Sequence, residues 1–158
     1  MRRKLIVFGV VAAVVATGAT IAVGVAKRVP ISDTVVLHFK AERSVSHAID
    51  DPPTGQSLGD GSIKTFLLTD NGREMGHMGQ ACLQTNTDPV ELVCQSSLKL
   101  DGGQVALQTM YLRDKATAGT TLKAAVTGGT GIYQNATGEA EWTRINDLVT
   151  RYKLTLNP

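Results

Sequence analysis

The sequence is poor in the features that would mark a nucleic-acid binder, a metalloprotein or a nucleotide-dependent enzyme. Its formal charge is only +2, and five of its sixteen Lys and Arg (Arg2, Arg3, Lys4, Lys27, Arg28) fall in the first 28 residues, leaving eleven basic against fourteen acidic residues thereafter. A slightly acidic body argues against nucleic acid as a partner, because neutralising phosphates takes a concentration of Lys and Arg. There are two cysteines and three histidines (His38, His47, His77), in no spacing that completes a zinc site. No Ser, His and Asp stand in the context of a nucleophilic triad. The glycine cluster Gly128-Gly129-Thr130-Gly131 is followed by neither the Lys-Ser/Thr pair of a phosphate loop nor the third glycine of a dinucleotide fingerprint. After Pro30 there is no long 3.6-residue apolar period.

What is present begins at the N-terminus. Arg2-Arg3-Lys4 precede an uncharged run from Leu5 to Ala26, rich in Val, Ala, Ile and Gly, which ends at Lys27-Arg28. A basic start before an apolar run is the form of a secretory signal, yet this run exceeds the usual apolar region of ~7–15 residues and approaches the ~20 needed to span a bilayer. The expectation is export, with residues 1–28 a hydrophobic helix serving as signal or anchor, membrane-associated through residues 5–26 if uncleaved. Residues 29–158 then form the folded domain.

That domain reads as short alternating or β-branched runs separated by Gly, Asp, Asn and Pro. Strands are expected over Thr34–Ala41, Ile63–Thr69, Met75–Thr85, Val90–Leu100, Gln104–Leu112, Thr121–Thr127, Glu139–Ile145 and Val149–Leu156. The polar stretch Glu42–Gly61, with its adjacent Pro52 and Pro53, reads as a loop closing over one end. Eight consecutive antiparallel strands predict an all-β fold, an up-and-down barrel, with a sandwich as the second architecture. Such a barrel is just wide enough to be filled by side chains or to hold one small ligand. Cys82 and Cys94 flank the turn Asn86-Thr87-Asp88-Pro89, where they could face each other across a hairpin; a disulfide is expected, with two buried free thiols as the alternative.

Alternation assigns faces, with an ambiguity of one register. Two carboxylates in a row, Glu139 and Glu141, would be costly inside, so Trp142, the only tryptophan, is expected in the lumen. Tyr152, Leu154 and Leu156 follow on the last strand, with Arg151 and Lys153 outside. Val105, Leu107, Thr109 and Tyr111 share a face, as do Phe66 and Leu68. The lumen is expected to be apolar and aromatic, with few polar groups.

The order Ala125-Val126-Thr127-Gly128-Gly129-Thr130-Gly131-Ile132-Tyr133, then Asn135-Ala136-Thr137-Gly138-Glu139, resembles the allene oxide cyclase barrel and dirigent-like superfamily, particularly its bacterial members. Leu68-Thr69-Asp70-Asn71-Gly72-Arg73-Glu74-Met75-Gly76 is similar to the segment that opens the family's third strand, although Thr69 replaces a common aromatic. The paired cysteines followed by Leu100-Asp101-Gly102-Gly103-Gln104 also look like bacterial members. The likeness spans roughly residues 58–145.

The resemblance implies an eight-stranded antiparallel barrel that binds a hydrophobic, flexible small molecule and steers its ring closure, generally without metal or organic cofactor. Some bacterial relatives are cyclases of polyketide assembly catalysing [4+2] cycloadditions, and Trp142 stands where a cavity-lining tryptophan occurs in them. Several members of the family associate, so self-association is a further expectation. Ring closure of this kind needs mainly that the reacting ends be held together. Trp142, Tyr152, Tyr111 and His77 are therefore the catalytic candidates. Trp142, Tyr152, Tyr111, Phe66, Leu68, Leu107 and Leu154 are the substrate-binding candidates, with Gln80 a weaker one, and Tyr133 is expected to plug the barrel end. A noncatalytic exported barrel carrying a hydrophobic ligand is the alternative.

Overall fold

The computed structural model describes residues 31–158; the expected signal or anchor helix within 1–28 lies outside the described residues. Eight strands follow one another, β1 (Val35–Ile49), β2 (Gly61–Asp70), β3 (Arg73–Thr87), β4 (Val90–Leu100), β5 (Gly103–Leu112), β6 (Thr121–Gly129), β7 (Thr137–Arg144) and β8 (Val149–Asn157). Each pairs antiparallel with its neighbour in sequence, and β1 closes onto β8 with Val35 opposite Leu156 and Glu42 opposite Val149. The sheet is thus a closed up-and-down barrel rather than a sandwich, because hairpin connections between successive strands leave closure as the way to consume the edges.

One expectation fails. Glu42–Ile49, read as loop, continues β1, and only the following residues to Asp60 lack strand structure. A bulge between Arg43 and Val45 shifts the register against β2, and the strand beyond it is exposed throughout. The alternation that betrays a half-buried strand therefore has no reason to appear there.

Apolar side chains crowd the lumen at one end. Leu68, Leu98, Val105, Leu154 and Leu156 are wholly buried there, each contributing about 1.5–3 kcal/mol by leaving water. Outside, Lys123 meets Glu139 at 2.7 Å and Lys153 meets Glu141 at 3.7 Å. The two glutamates of β7 are thereby matched across strands in solvent, and Ala140 and Trp142 are left to the interior.

The glycine corner seals this end. Gly131 has φ +65°, and a Cβ there would strike the carbonyl oxygen of Gly102 in the β4–β5 turn. The close approach of these two turns requires glycine. The short turn Gly131–Tyr133 carries Tyr133 inward. Tyr133 is buried, and its hydroxyl donates to the Asp101 carbonyl at 3.1 Å. It plugs the barrel, as its sequence position suggests.

Candidate functional site

The opposite end is open. There the inward positions of β2, β5, β7 and β8 bring Phe66, Tyr111, Trp142 and Tyr152 around a hollow of about 120 Å³. A second hollow of about 260 Å³ shares Lys64, Tyr111, Ala116 and Arg144 with the first, so the two are adjoining parts of one chamber.

The aromatic floor is ordered by ring contacts. Tyr152 stacks on Phe39 with centroids 5.2 Å apart and planes 10° from parallel. Tyr111 and Trp142 meet edge to face at 5.3 Å and 68°. Both arrangements are favourable for rings that carry a negative face and a positive edge. The Tyr111 hydroxyl lies 3.7 Å from Cys94 Sγ, to which it is the only possible donor, since Cys94 is bonded to Cys82. The disulfide joins opposed residues of β3 and β4 on the lumen side. The open alternative of two free thiols is thereby closed.

The Tyr152 hydroxyl differs from that of Tyr111. Tyr152 lines the chamber, and no described residue shares a hydrogen bond with its hydroxyl. Burial, and secondarily Tyr111, push its ionisation well above that of an ordinary phenol. Tyr111 is also raised by burial, with Arg113 and Arg144 opposing the shift. Both phenols are donors rather than bases at neutral pH.

The rim is not apolar, which corrects the expectation of few polar groups. Arg43, Lys64 and Arg144 line the first hollow, and Arg113 the second. Arg144 pairs with the Asp147 carboxylate and donates to the Ala116 carbonyl at 3.0 Å. Arg113 donates to Gln84 Oε1 at 2.9 Å; Gln84 is buried, and its Nε2 has no partner among the described residues. The side chains of Arg43 and Lys64 have no hydrogen bond or ion pair among the described residues. Lys64 is held below the usual lysine value, first by burial and then by Arg43, Arg144 and Arg113. Gln80 also lines the first hollow, its amide donating to Ser96 Oγ at 3.2 Å.

The loop before β2 fastens onto this end of the barrel. Gly59 donates to the Gln84 carbonyl at 3.1 Å and Gln84 returns a bond to Asp60 at 2.6 Å. The Asp60 carboxylate, held below its usual range chiefly by the backbone amides of Ser57 and Asp51, ties the loop together.

Of the residues singled out from sequence, Trp142, Tyr152, Tyr111 and Phe66 meet at the chamber, while Leu68, Leu107 and Leu154 are packed in the core and do not line it. His77 is on the outer wall, exposed and 3.4 Å from Glu74. Its side chain faces away because Met78, its neighbour, occupies the inward position. Arg43, Lys64 and Arg113 were not anticipated. Lys64 was within reach, since it stands two residues before the inward Phe66. Arg43 was hidden by the loop assignment. Among the described residues no group of three His, Cys, Asp or Glu is gathered to hold a metal ion.

The barrel is closed and plugged at one end, and at the other it opens onto an aromatic floor under a cationic rim. Its sequence matches the model of the allene oxide cyclase barrel like domain over residues 41–156, and the chain belongs to that family. No curated protein matches the chain by sequence. Among solved structures, a pyocyanin demethylase is similar at 26% identity and a TM-score of 0.68, covering 78% of this chain and 100% of the other. The exo-specific intermolecular Diels-Alderase AbnU is similar at 16% identity and 0.64, covering 78% and 96%. The pterocarpan synthase dirigent protein GePTS1 follows at 14% and 0.63, covering 78% and 86%. The last two likenesses are of fold.

Proposed function

We propose that this protein is a cyclase that takes an unsaturated, polyketide-like small molecule into the open-end chamber and steers its ring closure, a [4+2] cycloaddition, at or beyond the membrane. The observation that carries the reading is the Tyr152 hydroxyl, which makes no hydrogen bond to a described residue, in a chamber also lined by the rings of Trp142, Tyr111 and Phe66. Flat aromatic walls hold a conjugated chain folded on itself. Such positioning contributes up to about 7–11 kcal/mol when the reacting ends are held in contact. A phenol that stays protonated donates to a carbonyl conjugated with the reacting alkene and draws charge toward it, the electrostatic assistance that a fixed donor supplies without reorganisation. Export is supported by the basic start and apolar run and by the disulfide, a bond that persists in oxidising compartments.

The test is a linear trienone with a diene and an enone in one chain, followed by chromatography on a chiral phase. Wild-type protein is expected to accelerate closure and to enrich one stereoisomer, and Tyr152→Phe to lose roughly tenfold or more in rate. Closure at the background rate, with the trienone nonetheless bound, would instead make this a noncatalytic carrier. A second reading, action on a pyocyanin-like substrate, is favoured by the 26% identity to a demethylase covered along its whole length. Loss of the methyl group from pyocyanin in the presence of the protein would establish it.

A further inference from the structure

The rim of the chamber carries more positive charge than its fold requires. Four cationic side chains, Arg43, Lys64, Arg113 and Arg144, surround one opening. The carboxylates that face them are Asp147, engaged by Arg144, and Asp60, which is spent on the amides of its own loop. Among the described residues neither Arg43 nor Lys64 forms an ion pair, and Asp147, which lines the same hollow, is engaged by Arg144. They stand on adjacent strands, Arg43 opposite Phe66 and Lys64 two residues along β2 from it, so both rise from one wall of the aromatic floor. Like charges gathered in a half-buried place repel one another and lose hydration, a standing cost unless something anionic arrives.

We propose that the ligand of this chamber is a conjugated acid, its unsaturated part lying on Trp142 and Tyr152 and its carboxylate or acidic enol held at the rim by Arg43 and Lys64. The inference rests on the reading of the chamber as the ligand site and adds the ligand's charge and orientation. The acid group stays at the rim, where Arg43 offers a planar fork of donors and Lys64 a movable one. The apolar end points down the lumen. Neutral unsaturated molecules of the same shape are discriminated against, because they leave the two cations unpaired.

The test uses sorbate, a six-carbon conjugated dienoic acid, against its neutral amide, sorbamide, each titrated calorimetrically into the full folded protein and its variants. Sorbate is expected to bind at least tenfold more tightly than sorbamide. Arg43→Gln and Lys64→Gln are each expected to reduce that preference, and the double variant to abolish it. Equal affinity for acid and amide in the wild type would overturn the charge assignment and leave the chamber reading intact. A preference that survives in the double variant would overturn the assignment to Arg43 and Lys64. Binding of neither compound would overturn the chamber reading and the inference together. Thermal unfolding of each variant confirms that the barrel is present.

Discussion

Tyr111 and Trp142 meet edge to face across the mouth of the barrel, 5.3 Å between ring centroids, and together they define where the packed lumen ends and the chamber begins. Trp142 is 9% exposed, on the boundary between core and cavity. Trp142→Ala is therefore expected to cost about 2–3 kcal/mol, below the ~3–5 kcal/mol typical of a fully enclosed aromatic, because part of the ring already faces space. Denaturant unfolding would measure it. Ring closure should fall by a larger factor in Trp142→Ala than in Trp142→Phe, which keeps a flat wall.

The glycine corner makes a separate demand. Gly131→Ala is expected to destabilise by more than 1 kcal/mol, because its φ is +65° and the added methyl meets the Gly102 carbonyl oxygen. The same substitution at Gly119, whose φ is also positive but whose surroundings are open, should cost less. Comparing the two melting temperatures separates backbone preference from collision.

The fold and half of the chamber were legible in the sequence, and the reasons are specific. Glu139 and Glu141 flanking Ala140 fixed the facing of β7, and with it Trp142; the turn residues fixed the hairpins. What was not legible followed from one feature, the bulge at Arg43. Its register shift carried β1 through a polar stretch with no alternation, and that removed Arg43 from consideration as an inward side chain. His77, a candidate on its chemistry, lies exposed on the outer face beside Glu74, away from the chamber.

Cys82 and Cys94 close a short loop, twelve residues apart. Reduction, or Cys82→Ala with Cys94→Ala, is expected to cost roughly 3 kcal/mol through the freedom restored to the unfolded chain. It should also loosen the wall against which Tyr111 rests. A lower melting temperature in reductant, absent in the double variant, would show it.

Two titrations of opposite sign are expected at high pH. Tyr111 and Tyr152 are raised above 10.0 in the folded state, so their contribution is whole below pH 10 and is lost as pH climbs beyond it. Phenolate absorbance should therefore lag in the folded protein and appear for these two as the barrel opens. Lys64 is lowered below 10.5, so the unfolded chain binds the extra proton, and this group's penalty is present at neutral pH and fades as pH rises toward 10.5. Lys64→Gln should accordingly melt above wild type at pH 7, with the difference shrinking at pH 10.

The chain holds one tryptophan, and it stands in the wall of the chamber, so its emission reports on that site alone. Titrating sorbate while exciting Trp142 is the most direct measurement of whether the chamber is where a small molecule binds. A saturable change in emission is expected, with the same midpoint as calorimetry, and it should weaken in Ala116→Phe, at a residue that lines both adjoining hollows. Calorimetric binding with no change in Trp142 emission, or an affinity that Ala116→Phe leaves unaltered, would place the ligand elsewhere and contradict the site.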